Sequence, residues 1–208
     1  MDHVNALIHT MDETRAQSGF MILAQIMTLA QTNTIYDPFS TLISASAQIG
    51  RGNMFYPGTI IEIRNQGMIV IGDENSFFVG TSLLADHGNI QIGSRNELGD
   101  GGLRIKANTP DVLIMIADNG RYRNNAEITG RCTFGSGTQV LGAIAVLNCT
   151  LGAGDSYRDP DPEQRGGVLK GFGNARNLTV PRGQVINGLG IFSQSALESQ
   201  LVYHPRNK

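Results

Sequence analysis

One histidine, His87, lies inside an aliphatic, glycine-rich stretch, ADHGNIQIG over 85–93. An imidazole that titrates near neutrality can take a proton from a hydroxyl or an amine. Asp86 stands beside it and could orient the ring or raise its pKa. Neighbouring side chains on an extended chain point to opposite faces, however, so adjacency in sequence is no guarantee of contact. The plainer reading is a solvated histidine at a polar corner. The other three histidines, His3, His9 and His204, sit in the terminal segments. Catalytic zinc takes three protein ligands and one open position. A single internal histidine with no Cys/His cluster does not supply them, so no metal site is expected. Cys132 and Cys149, 17 residues apart, read as small buried hydrophobes, with a disulfide or a reactive thiol as the alternatives. Asp73, Glu74 and Asp100 offer carboxylates for acid–base work, but turns are rich in such residues in any protein.

Charge is unevenly spread. The chain of 208 residues has a net charge of −2, which argues against a nucleic-acid binder. Residues 1–100 carry four Arg against ten Asp and Glu, and residues 101–208 carry twelve Lys and Arg against eight Asp and Glu. The basic half contains Arg104, Lys106, Arg121, Arg123 and Arg131, candidates for contact with the phosphates of a cofactor or for electrostatic contact between subunits. No glycine-rich phosphate loop accompanies them. The first residues, MDHVNALIHTMDE, are acidic and unlike a signal peptide. The longest apolar run, FMILAQIMTLA, is too short for a membrane span. A cytoplasmic protein with free thiols is expected.

These residues must be carried by a repeating scaffold. Glycine accounts for 26 of the 208 residues and is interleaved with Ile, Leu, Val and Phe, a composition of many tight turns and not of disorder. An aliphatic or aromatic residue precedes glycine at Ile49-Gly50, Ile71-Gly72, Ile92-Gly93, Leu98-Gly99, Phe134-Gly135, Leu141-Gly142 and Leu151-Gly152. Several spacings are multiples of six or close to it. Two positions earlier stand Ala47, Ile69, Ile90, Cys132 and Cys149, which period-two alternation places on the same inward face as the aliphatic residue. Glycine then suits a corner, where a side chain would be resisted. Corner insertions are expected around 64–67 and 86–89, and residues 155–167, DSYRDPDPEQRGG, read as a protruding loop.

This unit resembles the hexapeptide repeat of the left-handed parallel β-helix, over roughly residues 40–190. The resemblance implies an all-β solenoid with three hexads per triangular coil, and its left hand rests on the resemblance alone. Within it, IIEIRNQGMIVIGDENSF (60–77) and VINGLGIFSQSALESQLVYH (185–204) resemble the pointed-end β-helical subunits of dynactin, which are assembly proteins. The resemblance implies three functions. A hexapeptide acyltransferase would use His87 as general base and an acyl-CoA such as acetyl-CoA as cofactor, with the five basic residues on its phosphates. A metalloenzyme like the hexapeptide carbonic anhydrases would need histidines that are missing here. A non-catalytic binding or assembly protein would need no cofactor and would use the rigid solenoid face and its ends. The residues favour the last, because no catalytic set forms beyond one histidine. A homo-oligomer, dimer or trimer, and a protein partner are expected.

The ends read as caps. Val4, Leu7, Ile8 and Met11 form one helical stripe, and Phe20, Leu23, Met27 and Ala30 a second, with a break at Ser18-Gly19. An N-terminal helical segment over 1–37, a solenoid over 38–190 and a C-terminal segment over 191–208 follow. The Ser195–Glu198 spacing predicts a short helix over 196–202.

Overall fold

The computed structural model describes residues 2–204, excluding the side chain of Asp2. The C-terminal tail expected beyond His204, and Met1 of the helical segment, lie outside the described residues.

The chain winds as a parallel β-solenoid with three faces. The first face stacks short strands from Thr34–Ile35 through Met54–Phe55, Ser76–Phe77, Glu97–Asp100, Arg121–Arg123 and Gln139–Leu141. The second begins at Leu42–Ile43 and passes through Ile60–Arg64, Thr81–Asp86, Leu103–Ala107, Ala126–Thr129 and Ile144–Leu147. The third is a seven-stranded sheet that begins at Gln48–Ile49 and ends at Thr179–Val180. In the last two turns single long strands, Val168–Arg176 and Gln184–Ile191, cross from the first face to the second.

Period-two alternation places every second side chain inside, and parallel register stacks like on like. Ile69, Ile90, Ile114 and Cys132 are aligned from turn to turn on the third face and are fully buried. Cys149 continues the column, and its backbone N–H lies 3.5 Å from Cys132 Sγ. Both thiols are free, and burial pushes Cys132 up to about 11. This is the chemistry of a core residue and not of a nucleophile. On the first face Phe55 and Phe77 stack with centroids 5.0 Å apart. Each buried side chain of this size stabilises by about 1.5–3 kcal/mol.

The corners explain the irregular spacing. At Gly50, Gly72, Gly93, Gly135 and Gly152 the aliphatic-glycine signature marks a close approach between turns and not an unusual φ, whereas Gly99 and Gly142 do have positive φ. A Cβ on Gly72 would stand 2.7 Å from the carbonyl oxygen of Gly93 in the next turn. The left-handed backbone falls two residues later instead, at Glu74 with φ 58° and Arg95 with φ 59°. The same corner is closed by a buried ladder, in which Asn53, Asn75 and Asn96 each pass an N–H to the side-chain oxygen of the asparagine one turn below. Their amide nitrogens donate to the carbonyl oxygens of Gly72, Gly93 and Ala117.

The ends only partly follow the helical pattern. Helices α1 (Asp2–Gln17) and α2 (Leu23–Leu29) are separated at Gly19, as the break predicts. Ile26 of α2 enters the solenoid core, while Met27 faces out. Only the second half of the α1 stripe approaches the solenoid: Ile8 and Met11 are half-buried, with Met11 near Phe39 and Leu42, while Val4 and Leu7 are 63% and 62% exposed. What anchors α1 is Arg15, whose guanidinium donates to the carbonyls of Met21, Pro38, Phe39 and Thr41. At the other end the expected helix over 196–202 is not one continuous helix. Two single 3-10 turns, Gln194–Ala196 and Gln200–Val202, flank a strand, Leu197–Ser199, that pairs antiparallel with Gln184–Ile186. Strand pairing satisfies the edge of the last turn, so the backbone groups an α-helix would use are taken. Ser193 and Ser199 cap the turns, not Ser195.

Candidate functional site

His87 occupies the corner between the second and third faces. In successive turns that corner holds Asn65, His87, Asp111, Gly130, Asn148 and Asn177, all with φ between 51° and 69°. Asn, Asp, His and Gly are the residues that tolerate this conformation best. The position therefore selects for backbone geometry before any chemistry. The imidazole is half exposed, and its Nε2 lies 3.8 Å from Asp86 Oδ1, beyond hydrogen-bond reach. That oxygen accepts instead from the side-chain amide of Asn65. No Asp–His dyad forms.

The five basic candidates do not converge. Arg104 and Lys106 lie on the second face, on the strand Leu103–Ala107. Arg131 lies at the His87 corner, two turns on, where its guanidinium donates to the carbonyl of Asp111 at 2.6 Å. Arg121 and Arg123 share a strand of the first face. Arg123 pairs with Asp100 at 3.3 Å. Arg104 lines a shallow pocket of the second face that also holds Glu127, whereas Arg121 enters a pocket whose charged lining is all basic.

That site is a cavity of about 170 Å³ on the outside of the first face. Its floor is the solenoid itself: Arg121, Gln139, Val168 and Val185 are aligned in register on four consecutive turns. One wall is the 155–167 segment, which is folded back and does not protrude as its composition suggests. Tyr157 is 7% exposed, and the guanidinium carbons of Arg121 and Arg158 lie over its ring at 4.7 and 4.9 Å. Arg158 forms an ion pair with Glu97 on the first face, and the backbones of Asp155 and Arg165 form an isolated parallel β-bridge. A buried aromatic ring and an ion pair outweigh the solvation of a charged loop. The other wall is the C-terminal segment. Gln200 is buried and donates from Nε2 to Gly166 O at 2.8 Å, tying this segment to the loop. Tyr203 and His204 complete the rim, with Lys170 Nζ 4.7 Å above the Tyr203 ring.

The charged groups that line the cavity are all basic, while Glu97 acts on Arg121 and Glu198 accepts from the Tyr203 hydroxyl outside the lining. Arg121, Arg165, Lys170 and His204 line it, and no carboxylate does among the described residues. Nor does any ion pair join Arg121, Arg165 or Lys170 to a carboxylate among the described residues. Burial first, and the neighbouring Arg123 second, hold Arg121 below the ordinary guanidinium range. Its Nε is buried with no hydrogen-bond partner. Burial, then Arg165, Lys170 and Arg121, push His204 below the ordinary imidazole value. Such a cavity attracts and orients negative charge. Sequence reasoning reached Arg121 through the basic second half, but missed Tyr157, Arg165, Lys170 and His204. The charge and proline content of 155–167 signalled an insertion, without saying which face it covers.

Comparison with known proteins adds one relative. Bifunctional protein GlmU of Geobacillus thermodenitrificans (strain NG80-2) is 32% identical to this chain over 130 residues. The match covers 58% of this chain but 26% of that protein, so the chain corresponds to about a quarter of the relative's length. No family model matches. The resemblance to the dynactin pointed-end subunits gains no support, and within 185–204 a short paired strand and two 3-10 turns stand where that pattern has a helix. No helix among the described residues is long and apolar enough to cross a membrane. The likeness to GlmU and the parallel solenoid together fit the hexapeptide-repeat β-helix superfamily.

Proposed function

We propose that this chain is a non-catalytic binding protein of the hexapeptide-repeat kind, with its ligand received on the first face between the 155–167 segment and the C-terminal segment. The observation that supports this reading is convergence. Three parts of the chain far apart in sequence close around one cavity, whereas His87 sits alone at a corner where the backbone dictates the residue. A rigid stack of short strands is a suitable floor, because its side chains are held in register and lose little freedom on binding. The exposed α1 stripe at Val4 and Leu7 supports a homo-oligomeric contact, dimer or trimer, or contact with a protein partner through the helical end.

The likeness to GlmU favours a second reading, acyl transfer from acyl-CoA with His87 as general base. Arg104, Lys106 and Arg131 would then serve the cofactor from the second face and its corner. Acetyl-CoA incubated with the full chain and a panel of amine and hydroxyl acceptors separates the two. The binding reading expects no thiol release above background, for the native chain or for His87→Ala. Thiol release that depends on an acceptor and disappears in His87→Ala overturns it.

A further inference from the structure

We propose that the first-face cavity binds a small organic dianion, with its paired oxyanion on Arg121, Arg165 and Lys170 and an apolar body against Val168, Val185 and Leu141; this rests on the binding reading above. Three side chains that stay charged at neutral pH face one half-open pocket, and no acid of its lining answers them, Glu97 acting on Arg121 from outside that lining. Like charges held together repel, so a ligand of opposite sign is stabilised by all of them at once. A ligand with one negative charge would leave most of that repulsion in place, whereas two charges offset it. Guanidinium groups present paired donors that match the oxygens of a carboxylate or a phosphate. The Arg121 guanidinium is already held, by the Tyr157 ring beneath it and by a bond from Nη2 to Gln139 Oε1 at 3.0 Å. Arg165 is held by a bond from Nε to Asp159 O at 2.7 Å. Little ordering is therefore left to occur on binding.

Size and lining define the remainder of the ligand. About 170 Å³ slightly exceeds a cavity known to hold benzene, roughly 150 Å³. Val168, Val185 and Leu141 give that space an apolar side. The fitting chemistry is a ring or short branched chain bearing a phosphate monoester or two carboxylates. Larger polyanions would reach the cavity with an end group only. His204 on the rim adds a dependence on pH. It faces Arg121, Arg165, Lys170 and Tyr203, and a bound dianion favours its protonated form, so binding raises the His204 pKa.

The test is calorimetric titration of the full chain with phenyl phosphate, with phthalate and with neutral benzyl alcohol. Saturable binding of either dianion with a dissociation constant below about 1 mM, and none of benzyl alcohol, is expected. A stronger signal from phenyl phosphate or from phthalate tells which oxyanion the site prefers. Arg121→Gln and Lys170→Gln should each weaken binding about tenfold or more, and Arg104→Gln on the second face should leave it unchanged. Arg121 also holds Tyr157, so Lys170→Gln carries the decision if Arg121→Gln unfolds. No binding of either dianion up to about 10 mM, equal binding of benzyl alcohol, or binding indifferent to Lys170→Gln overturns the inference. Thiol release dependent on His87 would instead overturn the binding reading, so the two failures remain distinct.

Discussion

His87 and Arg121 both stand out in the sequence as polar groups able to do chemistry, and the solenoid treats them in opposite ways. His87 lies on a corner between two consecutive strands of one turn, so its surroundings are local. Its neighbours above and below are Asn65 and Asp111, residues of the same conformational type. Arg121 lies on a flat face, and its surroundings come from 36 residues onward in the chain at Tyr157 and from the far end at His204. A corner in a repeat is a backbone constraint that any tolerant residue satisfies. A face walled by an insertion and a terminal segment is a pocket that several distant parts of the chain build together. Chemical identity alone does not separate the two positions, but tertiary coverage does.

The sharpest way to probe the contrast is to damage a corner that is buried and compare it with one that is not. Asn75 carries two turns of the buried ladder, so Asn75→Ala leaves the Asn96 N–H and the Gly93 carbonyl without partners. A loss of about 3 kcal/mol in chemical denaturation is expected, with an unchanged affinity for the first-face ligand. Tyr157→Ala removes the ring that holds the 155–167 segment. It should cost about 2 kcal/mol and make Arg158 and Arg165 early sites of tryptic cleavage, while the solenoid itself resists. Equal cleavage rates in the native chain and the variant would mean that this segment is not held on the face.

The His87 corner predicts smaller effects. His87→Val should cost about 1–2 kcal/mol, because a β-branched residue resists positive φ. His87→Asn should stay within about 0.5 kcal/mol of the native chain. A large loss of stability or of binding with asparagine would break the comparison and return His87 to a chemical role. The smallest effect concerns His204. Its folded pKa lies below the unfolded value of 6.5, so the unfolded chain takes up the proton first and stability declines slightly as pH falls below that value. Bound phenyl phosphate should flatten this decline, measured as melting temperature against pH with and without ligand.

Much of the scaffold was legible in the sequence. Ile69, Ile90, Cys132 and Cys149 announced an inward column because alternation in a strand is a local property, and a stack of turns repeats it. The break at Gly19 was legible for the same reason. The meaning of the corner glycines was only half legible: Gly72 is needed because Gly93 approaches from the next turn, a contact 21 residues away. The C-terminal helix was misjudged because Ser195 and Glu198 form a local signal that pairing with Gln184–Ile186 overrides. Nothing in the local pattern marked the first part of the α1 stripe, Val4 and Leu7, as exposed.

While the three-faced coil came from the family resemblance, the sequence by itself determined the repeating turn, the inward columns and the isolation of His87 from other histidines. Each follows from short-range periodicity and steric preference. Only the tertiary structure decided which face the 155–167 segment and the C-terminal strand cover, and so which of sixteen basic side chains meet in a cavity. That choice depends on the burial of Tyr157, the Arg158–Glu97 pair and the Gln200 bonds to Gly166 and Gln184. These contacts join residues far apart along the chain, and no local periodicity records them.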